Sequence, residues 1–440
     1  MPHIAAFRGL RYDLGHVGAL EGVVAPPSDV IDAELQTALY KQHPANVVRL
    51  VLNRDEIGDD EDAKYRRAAR FFKNWQQEGV LQREPDPAIY AYHQVFEFAG
   101  SSYTRRGFIC LVKLERLGDG SVYPHEETHA SVKEDRLKLL QACKGNLSPI
   151  FSVYPDPKNE AQELIENAVV GVAPIETKDR DGTLHRIWPI SDIHVINDVA
   201  SIMSTKETYI ADGHHRYETA CSYRDELGGD ELDPAHGANQ VMMMCVGIND
   251  PGMIVLPTHR LFRGIPAMNS DELKAKLGEC FDVRIAGEGS DLAEMIWDQI
   301  EIEDDQGTIG LYCHADERWV VAKINNTGRG RMSEIAPDNS EEWRSLGVSI
   351  LHQLIVESLL DQSDLPTPKY VHLVDDVVTA IDSGDNDKNG EPFELAALVM
   401  PATLDHIQSI SEQGERMPAK STYFYPKLLS GLVLNPHDGS

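Results

Sequence analysis

The segment from residue 208 to residue 227 constrains the fold of this chain more than any other part of the sequence. An apolar run at 208–211 leads into Asp212-Gly213, and apolar residues at helical spacing, Ala220, Tyr223 and Leu227, follow. This pattern predicts a strand, a tight turn and the start of a helix. A connection of that kind is typical of α/β proteins.

Two histidines and an arginine, His214, His215 and Arg216, stand where this helix is predicted to begin. A helix N-terminus presents backbone N–H groups and the positive end of the helix dipole, and these three side chains add further donors. We therefore predict a phosphate or carboxylate site at 212–216. The alternative is an ordinary surface turn in which Asp212 caps the helix and the histidines are exposed polar residues.

The charge of the chain limits which anion this site can bind. With 71 acidic and 41 basic residues, the formal net charge is −30. Nucleic acids and anionic membranes would be repelled, so neither is an expected partner. The chain can still bind a small anion, because a Debye length of about 8 Å screens a local cationic pocket from distant carboxylates. The composition is also compatible with a homo-oligomer.

Length and cysteine usage restrict the class of protein further. A chain of 440 residues exceeds the size of a single hydrophobic core and predicts at least two domains. The six cysteines form no Cys-x-x-Cys pair, which argues against a disulfide scaffold or a structural zinc site. No signal-peptide pattern and no run of 18 apolar residues occurs. We expect a cytoplasmic protein with reduced thiols.

Apolar periodicity predicts helices and strands in mixed order, so the expected fold class is α/β (mixed α+β). The predicted helices lie at 34–40, 65–75, 133–143 and 271–277, and the predicted strands at 46–52, 89–98, 103–113, 150–154, 310–313 and 319–324. Acidic or Gly/Asn-rich stretches predict surface loops at 301–307, 325–330 and 383–390. A change of composition places a domain boundary near residue 266, giving domains 1–265 and 266–440.

A His-Glu-x-x-His sequence occurs at His125, Glu126 and His129. On a helix it would place two imidazoles one turn apart for zinc, with the glutamate as general base. Glycine and proline upstream disfavour a helix, and Val132 and Asp135 stand where an extended metalloprotease pattern needs Gly and His. A polar functional loop is favoured, and a solvated surface loop and a metal-dependent hydrolase are the alternatives.

Basic and hydroxyl side chains cluster at three more places. Lys133 and Arg136 form either a solvated ion-paired face with the intervening acidic residues or a cationic flank for a phosphate. Pro257-Thr258-His259-Arg260 and 417–427, which includes Lys420 and Ser421, lie where strands are predicted to open into loops. Each of these two segments is either part of a binding site or a structural strand end.

Several separated motifs together resemble one family. They are Val23-Val24-Ala25-Pro26-Pro27, His125-Glu126-x-Thr128, Lys133-x-Asp135-Arg136, Asp212-Gly213-His214-His215-Arg216, Pro257-Thr258-His259-Arg260 and Lys420-Ser421-Thr422-Tyr423-Phe424. From residue 2 to about 434 the chain resembles the Domain of Unknown Function 1015 family. Its turn is similar to the phosphate-binding turn of the ParB/sulfiredoxin superfamily, which includes archaeal kinases of free serine. The resemblance implies a ParB/sulfiredoxin-like nucleotide-binding core with an additional C-terminal α/β domain.

Departures from the superfamily narrow the expected chemistry. Sulfiredoxins carry Gly-Cys-His-Arg at this turn, and His214 occupies the cysteine position, so sulfinic-acid repair is not expected. ParB proteins carry Gly-Glu-Arg-Arg and act on DNA, whereas His214 and His215 fill the middle positions here. In the larger family a tyrosine usually follows the proline pair, and Ser28 stands there in this chain.

The resemblance implies a small-molecule kinase that uses ATP or ADP with Mg²⁺ and phosphorylates a hydroxyl acceptor such as free L-serine. The implied phosphate-binding residues are Gly213, His214, His215, Arg216, Lys133, Arg136 and Arg260. The implied catalytic residues are Glu126 as general base, Asp29 as second candidate for that role, and Asp212 as Mg²⁺ ligand or helix cap. Thr128, His259, Lys420 and Ser421 are the expected substrate-binding residues. A non-catalytic nucleotide sensor would use the same turn.

Overall fold

The chain divides into two compact units in a computed structural model that describes residues 3–117, 120–128, 130–303, 305–383 and 392–437. The first unit consists of Met1–Pro124, Thr128–Ile254 and Pro426–Ser440, and the second of His125–Glu127 and Val255–Tyr425. The domain boundary predicted near residue 266 falls inside the second unit. The last segment of the chain returns to the first unit, which composition does not reveal.

The described residues contain both helices and strands in mixed order, so the prediction of a mixed α/β fold is confirmed. The strands are β1 (Ile4–Ala5), β2 (Leu10–Tyr12), β3 (Leu81–Arg83), β4 (Ile89–Phe98), β5 (Ser101–Lys113), β6 (Val122–Pro124), β7 (Gly145–Asn146), β8 (Ile150–Tyr154), β9 (Ile175–Lys178), β10 (Leu184–Ile190), β11 (Thr208–Asp212), β12 (Gln240–Gly247), β13 (Ile254–Leu256), β14 (His259–Phe262), β15 (Phe281–Glu288), β16 (Thr308–Cys313), β17 (Arg318–Ile324), β18 (Lys369–Val371), β19 (Leu395–Leu398), β20 (Tyr423–Tyr425) and β21 (Asn435–Pro436). The α-helices are α1 (Leu14–Val17), α2 (Ala33–Gln42), α3 (Val48–Val51), α4 (Ala63–Gln77), α5 (Ala130–Cys143), α6 (Glu160–Val169), α7 (Ile193–Met203), α8 (His214–Glu226), α9 (Ser270–Leu277), α10 (Ala293–Glu303), α11 (Asn326–Ile335), α12 (Glu341–Ser345), α13 (Gly347–Ser349), α14 (Val374–Asp382) and α15 (Leu404–Glu412). A π-helix, Ile350–Leu359, follows α13.

A mixed sheet forms the core of the first unit. Its strand order is β6-β11-β8-β12-β5-β4-β10-β9, and β1 pairs with β5. The β6–β11 and β8–β12 pairs are parallel, and the other pairs are antiparallel. Apolar side chains of α6, α7 and α8 pack with the central strands in one hydrophobic cluster. Because helices cover this sheet, a central strand such as β12 is an unbroken apolar run.

The strands predicted at 89–98 and 103–113 are confirmed as β4 and β5, and the two strands pair as an antiparallel hairpin. Its two turn residues, Ala99 and Gly100, have φ angles of 47° and 74°. A two-residue hairpin turn needs positive φ at both positions, because that conformation follows the twist of the strands. This local requirement explains why the sequence predicts the hairpin well.

The strand predicted at 46–52 is wrong, because this segment contains the short helix α3. The Asn46 side chain accepts a hydrogen bond from the Val48 N–H at 2.9 Å. Its amide donates to the carbonyls of Gly22, at 2.9 Å, and Val24, at 3.1 Å. A buried asparagine that joins three backbone groups thus begins a helix within a run of strand-forming residues.

The surface loop predicted at 325–330 is also wrong, because α11 begins there. Asn325 caps the helix by accepting a hydrogen bond from the Gly328 N–H at 3.0 Å. A Cβ at Gly328 would lie 2.3 Å from the Cys280 carbonyl oxygen, so the backbones approach closely at this point. The glycine that indicates a loop in the sequence is needed for helix packing.

The second unit contains an antiparallel sheet of strand order β15-β17-β16-β19-β14-β18. Apolar residues of α10 and α14 pack on it in a second hydrophobic cluster. Among the described residues, no helix combines the length and the apolar character needed to cross a membrane.

Candidate functional site

The strand, turn and helix predicted around Gly213 are all present, as β11, Gly213 and α8. Gly213 is the N-cap residue of α8 and has a φ of 99°. A Cβ at this position would lie 2.9 Å from a guanidinium nitrogen of Arg216, so glycine lets that side chain fold back over the turn. The alternative in which Asp212 is the helix cap is wrong, because Asp212 is the last residue of β11 and Gly213 holds the N-cap position of α8.

Two cations hold the carboxylate of Asp212. The Lys427 ammonium donates to Asp212 Oδ2 at 2.6 Å, and a guanidinium nitrogen of Arg216 lies 3.6 Å from Asp212 Oδ1. Arg216 also donates to the carbonyl of Pro149. His214 is buried and His215 is partly exposed on the first turn of α8. With the Lys427 ammonium beside it, the turn has two cations next to one carboxylate.

A cavity of about 70 Å³ beside the turn is lined by segments that are far apart in the sequence. Its polar lining comes from Ser28, Arg136, Asn146, Ser148, Arg216 and Thr219. The Arg136 guanidinium pairs with the Asp135 carboxylate and also donates to Ser28 Oγ at 3.0 Å and to the Val51 carbonyl, and these contacts together fix its direction. The structure thereby brings two of the predicted phosphate-binding arginines to a single cavity within the first unit.

Two other predicted residues of the first unit contact a carboxylate instead of lining this cavity. Thr128 Oγ1 donates to Glu218 Oε2 at 2.7 Å, and the Lys133 ammonium donates to the same oxygen at 3.0 Å. Glu218 lies on α8, two residues after Arg216. In this arrangement Lys133 and Thr128 connect the start of α5 to α8.

The His125-Glu126 segment belongs to the second unit, where it holds a loop. Glu126 Oε1 accepts hydrogen bonds from the Thr422 N–H at 2.9 Å and from Thr422 Oγ1 at 2.8 Å, and Oε2 accepts from the Lys420 N–H at 3.3 Å. His125 is fully buried, and its Nε2 lies 2.9 Å from Thr422 Oγ1. These contacts account for both side chains within the unit.

The helical geometry that a His-Glu-x-x-His zinc site needs is not formed around Glu126. Residues 122–124 are the strand β6, and Glu126 makes a β-bridge with Met417. His129 lies outside the described residues. Residues 125–128 are not helical, so the described part of the motif lacks the helix on which such a zinc site is built.

Arg260 and His259 are buried on neighbouring positions of β14 in the second unit. Arg260 donates to His352 Nε2 at 3.0 Å, to the Lys420 carbonyl at 2.9 Å and to the Thr258 carbonyl, and burial lowers its pKa to about 10. His259 packs edge-on against Trp297 with ring centroids 4.8 Å apart, and burial lowers its pKa to about 3. The predicted site residues thus form two groups, one in each unit.

Ser421 also contacts its own loop, because its hydroxyl donates to the Pro418 carbonyl.

Comparison with known proteins identifies the family of the chain. A family model described as "Protein of unknown function (DUF1015)" matches residues 4–349, which is more than half of the chain. The chain belongs to the DUF1015 family. A search among curated proteins finds no match for this DUF1015 chain.

Solved structures give low-identity similarities to this DUF1015 protein. A free serine kinase variant in complex with ADP is 12% identical, with a TM-score of 0.34, and the match covers 69% of this chain and 84% of that one. A conserved hypothetical protein from Pyrococcus furiosus is 14% identical, with a TM-score of 0.34 and coverages of 72% and 91%. SbnI with a C-terminal truncation, from Staphylococcus aureus, is 11% identical, with a TM-score of 0.33 and coverages of 73% and 85%. TM-scores at this level do not establish a shared fold.

Sequence reasoning missed two cations near Asp212, Lys427 and Arg105. Arg105 is fully buried in β5, and burial lowers its pKa to about 10 while the charges of Asp250 and Asp212 act in the opposite direction. A charged residue within a predicted strand of mostly apolar residues is rare in protein interiors, and this signal could have indicated Arg105 as a functional candidate. Lys427 lies at the end of the candidate segment 417–427, but its pairing with Asp212 had no signal, because the two residues are 215 positions apart in the chain.

The described residues do not fit a magnesium ion held by the protein. They contain no group of three or more His, Cys, Asp or Glu side chains placed to bind a metal. Asp212 offers one carboxylate, and both of its oxygens face cations. Because a ligand of Mg²⁺ must present an oxygen lone pair to the ion, Asp212 in this arrangement is a poor metal ligand.

Proposed function

We propose that this DUF1015 protein binds a nucleotide through its phosphates at the turn 212–216 and transfers a phosphoryl group to a small hydroxyl compound. The observation that carries the proposal is the cavity that Arg136 and Arg216 line together beside the N-terminus of α8. Guanidinium groups bind phosphate oxygens in a bidentate manner, and helix N–H groups add to the attraction. Binding of phosphate in this way requires neither a surface that recognises nucleic-acid bases nor a surface that binds a membrane.

The size of the cavity supports a ligand that enters only in part. A volume of about 70 Å³ is small beside the roughly 300–1,000 Å³ typical of pockets that enclose a whole small molecule. It suits a phosphate group, with the rest of the nucleotide lying outside the cavity. His214 and His215 are proposed as further phosphate donors at the same helix end.

Phosphoryl transfer needs positioned phosphates, compensated charge and a base for the acceptor hydroxyl. In the proposed reaction the acceptor oxygen forms a bond to phosphorus, the bond from phosphorus to the leaving nucleotide oxygen breaks, and the hydroxyl proton passes to a carboxylate. Asp29 is our candidate base within the first unit, because it is exposed on a short 3₁₀ turn and follows Ser28 of the cavity lining.

The other predicted residues keep their status as predictions. Glu126, Arg260, His259, Lys420 and Ser421 lie in the second unit, and we assign them no step in the reaction. We also assign no step to Mg²⁺, since the residues around Asp212 do not fit a protein-held ion. Free L-serine is the first acceptor to test because the turn resembles that of the free-serine kinases.

The test is a search for product by ³¹P NMR. The purified protein is incubated in magnesium-containing buffer with ATP or ADP, first alone and then with L-serine or pooled amino acids. We expect a new phosphomonoester resonance that requires both the nucleotide and an acceptor. Nucleotide binding without a phosphomonoester from any acceptor would replace the kinase with a non-catalytic nucleotide sensor. The absence of nucleotide binding would contradict both the kinase proposal and the sensor alternative.

A further inference from the structure

Buried side chains of β4 and β5 hold the backbone of the segment that follows β20. Arg105 donates to the carbonyl of Pro426, and the Gln94 amide donates to the carbonyl of Lys427 at 2.9 Å. The Leu429 N–H donates to the Tyr92 hydroxyl at 3.3 Å. Tyr92, Gln94 and Arg105 are all fully buried. The backbone on both sides of the Lys427 side chain is therefore held by polar groups that have no access to water.

Further hydrogen bonds fix the orientation of Tyr92. Its hydroxyl lies 2.7 Å from His185 Nδ1, and His185 Nε2 lies 3.0 Å from Asp179 Oδ2. A carboxylate accepts from the Nε2–H, so Nδ1 is the acceptor of the Tyr92 hydroxyl proton, and the Tyr92 oxygen can accept from Leu429. Burial lowers the pKa of His185, which keeps the ring neutral in this role. The row of bonds from Asp179 to Leu429 has one consistent direction.

These hydrogen bonds hold the backbone of Lys427 where its ammonium group reaches the turn. The Lys427 Nζ lies 2.6 Å from Asp212 Oδ2, and the Lys427 side chain is 13% exposed. Arg216 lies 3.6 Å from the other oxygen of Asp212, and the charge of Asp212 also acts on the buried Arg105. A structural ion pair needs one cation. Lys427 and Arg216 place two cations beside this carboxylate at the turn, so a phosphate bound there would have an ammonium and a guanidinium group within reach.

We infer that Lys427 is a further phosphate-binding residue of the turn, and that Gln94 and Tyr92 are positioning residues that hold its backbone. The inference rests on the proposed function and adds a residue to it. Asp212 would then orient Lys427 and Arg216 toward a shared phosphate, which replaces its predicted role as metal ligand. The ligand class is a polyphosphate, either the phosphates of a nucleotide or free pyrophosphate.

The test measures binding of ADP and of pyrophosphate by isothermal titration calorimetry at constant ionic strength. Lys427→Met is compared with wild type and with the matched control Lys158→Met, whose side chain is 79% exposed in the same unit. We expect the Lys427→Met protein to bind both ligands at least tenfold more weakly and the control to bind within twofold of wild type. Lys427→Arg, which restores a cation, is expected to recover part of the loss.

The outcomes separate this inference from the proposed function. Tight ADP binding by Lys427→Met would overturn the role of Lys427 and leave the proposed function intact. Binding of pyrophosphate but not ADP by wild type, with loss in Lys427→Met, would support Lys427 and overturn nucleotide use. Binding of neither ligand by wild type would overturn both.

A second variant tests positioning and also serves if Lys427→Met fails to fold. Gln94→Met removes the hydrogen bond to the Lys427 carbonyl and the acceptor of the buried Arg105 guanidinium, and it keeps the size of the side chain, so thermal unfolding must first show that the variant is folded. We expect its binding of ADP to weaken at least threefold, and the double variant with Lys427→Met to bind no more weakly than Lys427→Met alone. Additive losses, or no loss in Gln94→Met, would mean that Gln94 has only a structural role.

Discussion

Replacing Arg216 with alanine is expected to weaken ADP binding about 100-fold, which corresponds to about 2.7 kcal/mol. The substitution removes a planar fork of donors from the N-terminal end of α8, and hydrogen bonds to charged groups contribute roughly 1.5–3 kcal/mol each. Arg216→Lys should recover part of the affinity, because an ammonium keeps the charge but loses the bidentate geometry. Isothermal titration calorimetry gives the dissociation constants directly.

The control for this prediction is Arg66→Ala. Arg66 is an arginine of the same unit with an exposed side chain, and its partner, Asp60, is equally exposed. It should bind ADP within twofold of wild type, because exposed ion pairs contribute little and Arg66 does not line the cavity. Thermal unfolding of each variant checks that the fold is retained. A folded Arg216→Ala protein with wild-type affinity for ADP would exclude the turn from the site.

The second unit is expected to lose about 4 kcal/mol of stability between pH 7.5 and pH 5, from two buried histidines. Burial and the charge of Arg260 lower the pKa of His259 and of His352 to about 3. The unfolded chain takes up these protons near pH 6.5, whereas the folded unit does so only near pH 3, so stability is complete above pH 6.5 and falls as the pH drops below it. Each group accounts for about 2 kcal/mol at pH 5.

The test is urea unfolding at the two pH values, followed by tryptophan fluorescence. His352→Gln should remove about half of the loss, because an amide cannot be protonated in this range and its oxygen can accept the Arg260 hydrogen bond. His16→Gln, at a histidine with a half-exposed side chain, should leave the loss unchanged. Equal pH dependence in His352→Gln and wild type would contradict the assignment to buried histidines. Ion-paired carboxylates such as Asp59, with a pKa lowered to about 2 by Arg67, respond only at lower pH.

Local patterns in the sequence predict several elements well. The helices α4 and α5, the hairpin β4–β5 and the connection from β11 to α8 all follow from apolar spacing and from turn residues with positive φ. The errors at α3 and α11 have a different cause. At both places an asparagine begins the helix through contacts with distant backbone or with its own first turn, and propensity alone favours a strand or a loop.

The candidate site could be predicted only in part, because several of its residues are far apart in the sequence. The donors that come from one continuous segment, Gly213 to Arg216, are visible in the sequence as a turn with basic side chains. The convergence of Ser28 and Arg136 on the same cavity depends on the packing of α5, and Lys427 arrives on a segment that returns after the whole second unit. Periodicity describes neighbours along the chain, so contacts of this kind require the folded structure.

A crystal structure of the protein with ADP tests the central claim most directly. We predict that a phosphate group of ADP lies in the cavity between Arg136 and Arg216, within about 3 Å of the guanidinium nitrogens and of the first N–H groups of α8. The adenosine should lie outside the cavity. ADP phosphates bound away from the turn 212–216, with Asp212, Arg216 and Lys427 in the arrangement described above, would contradict the account.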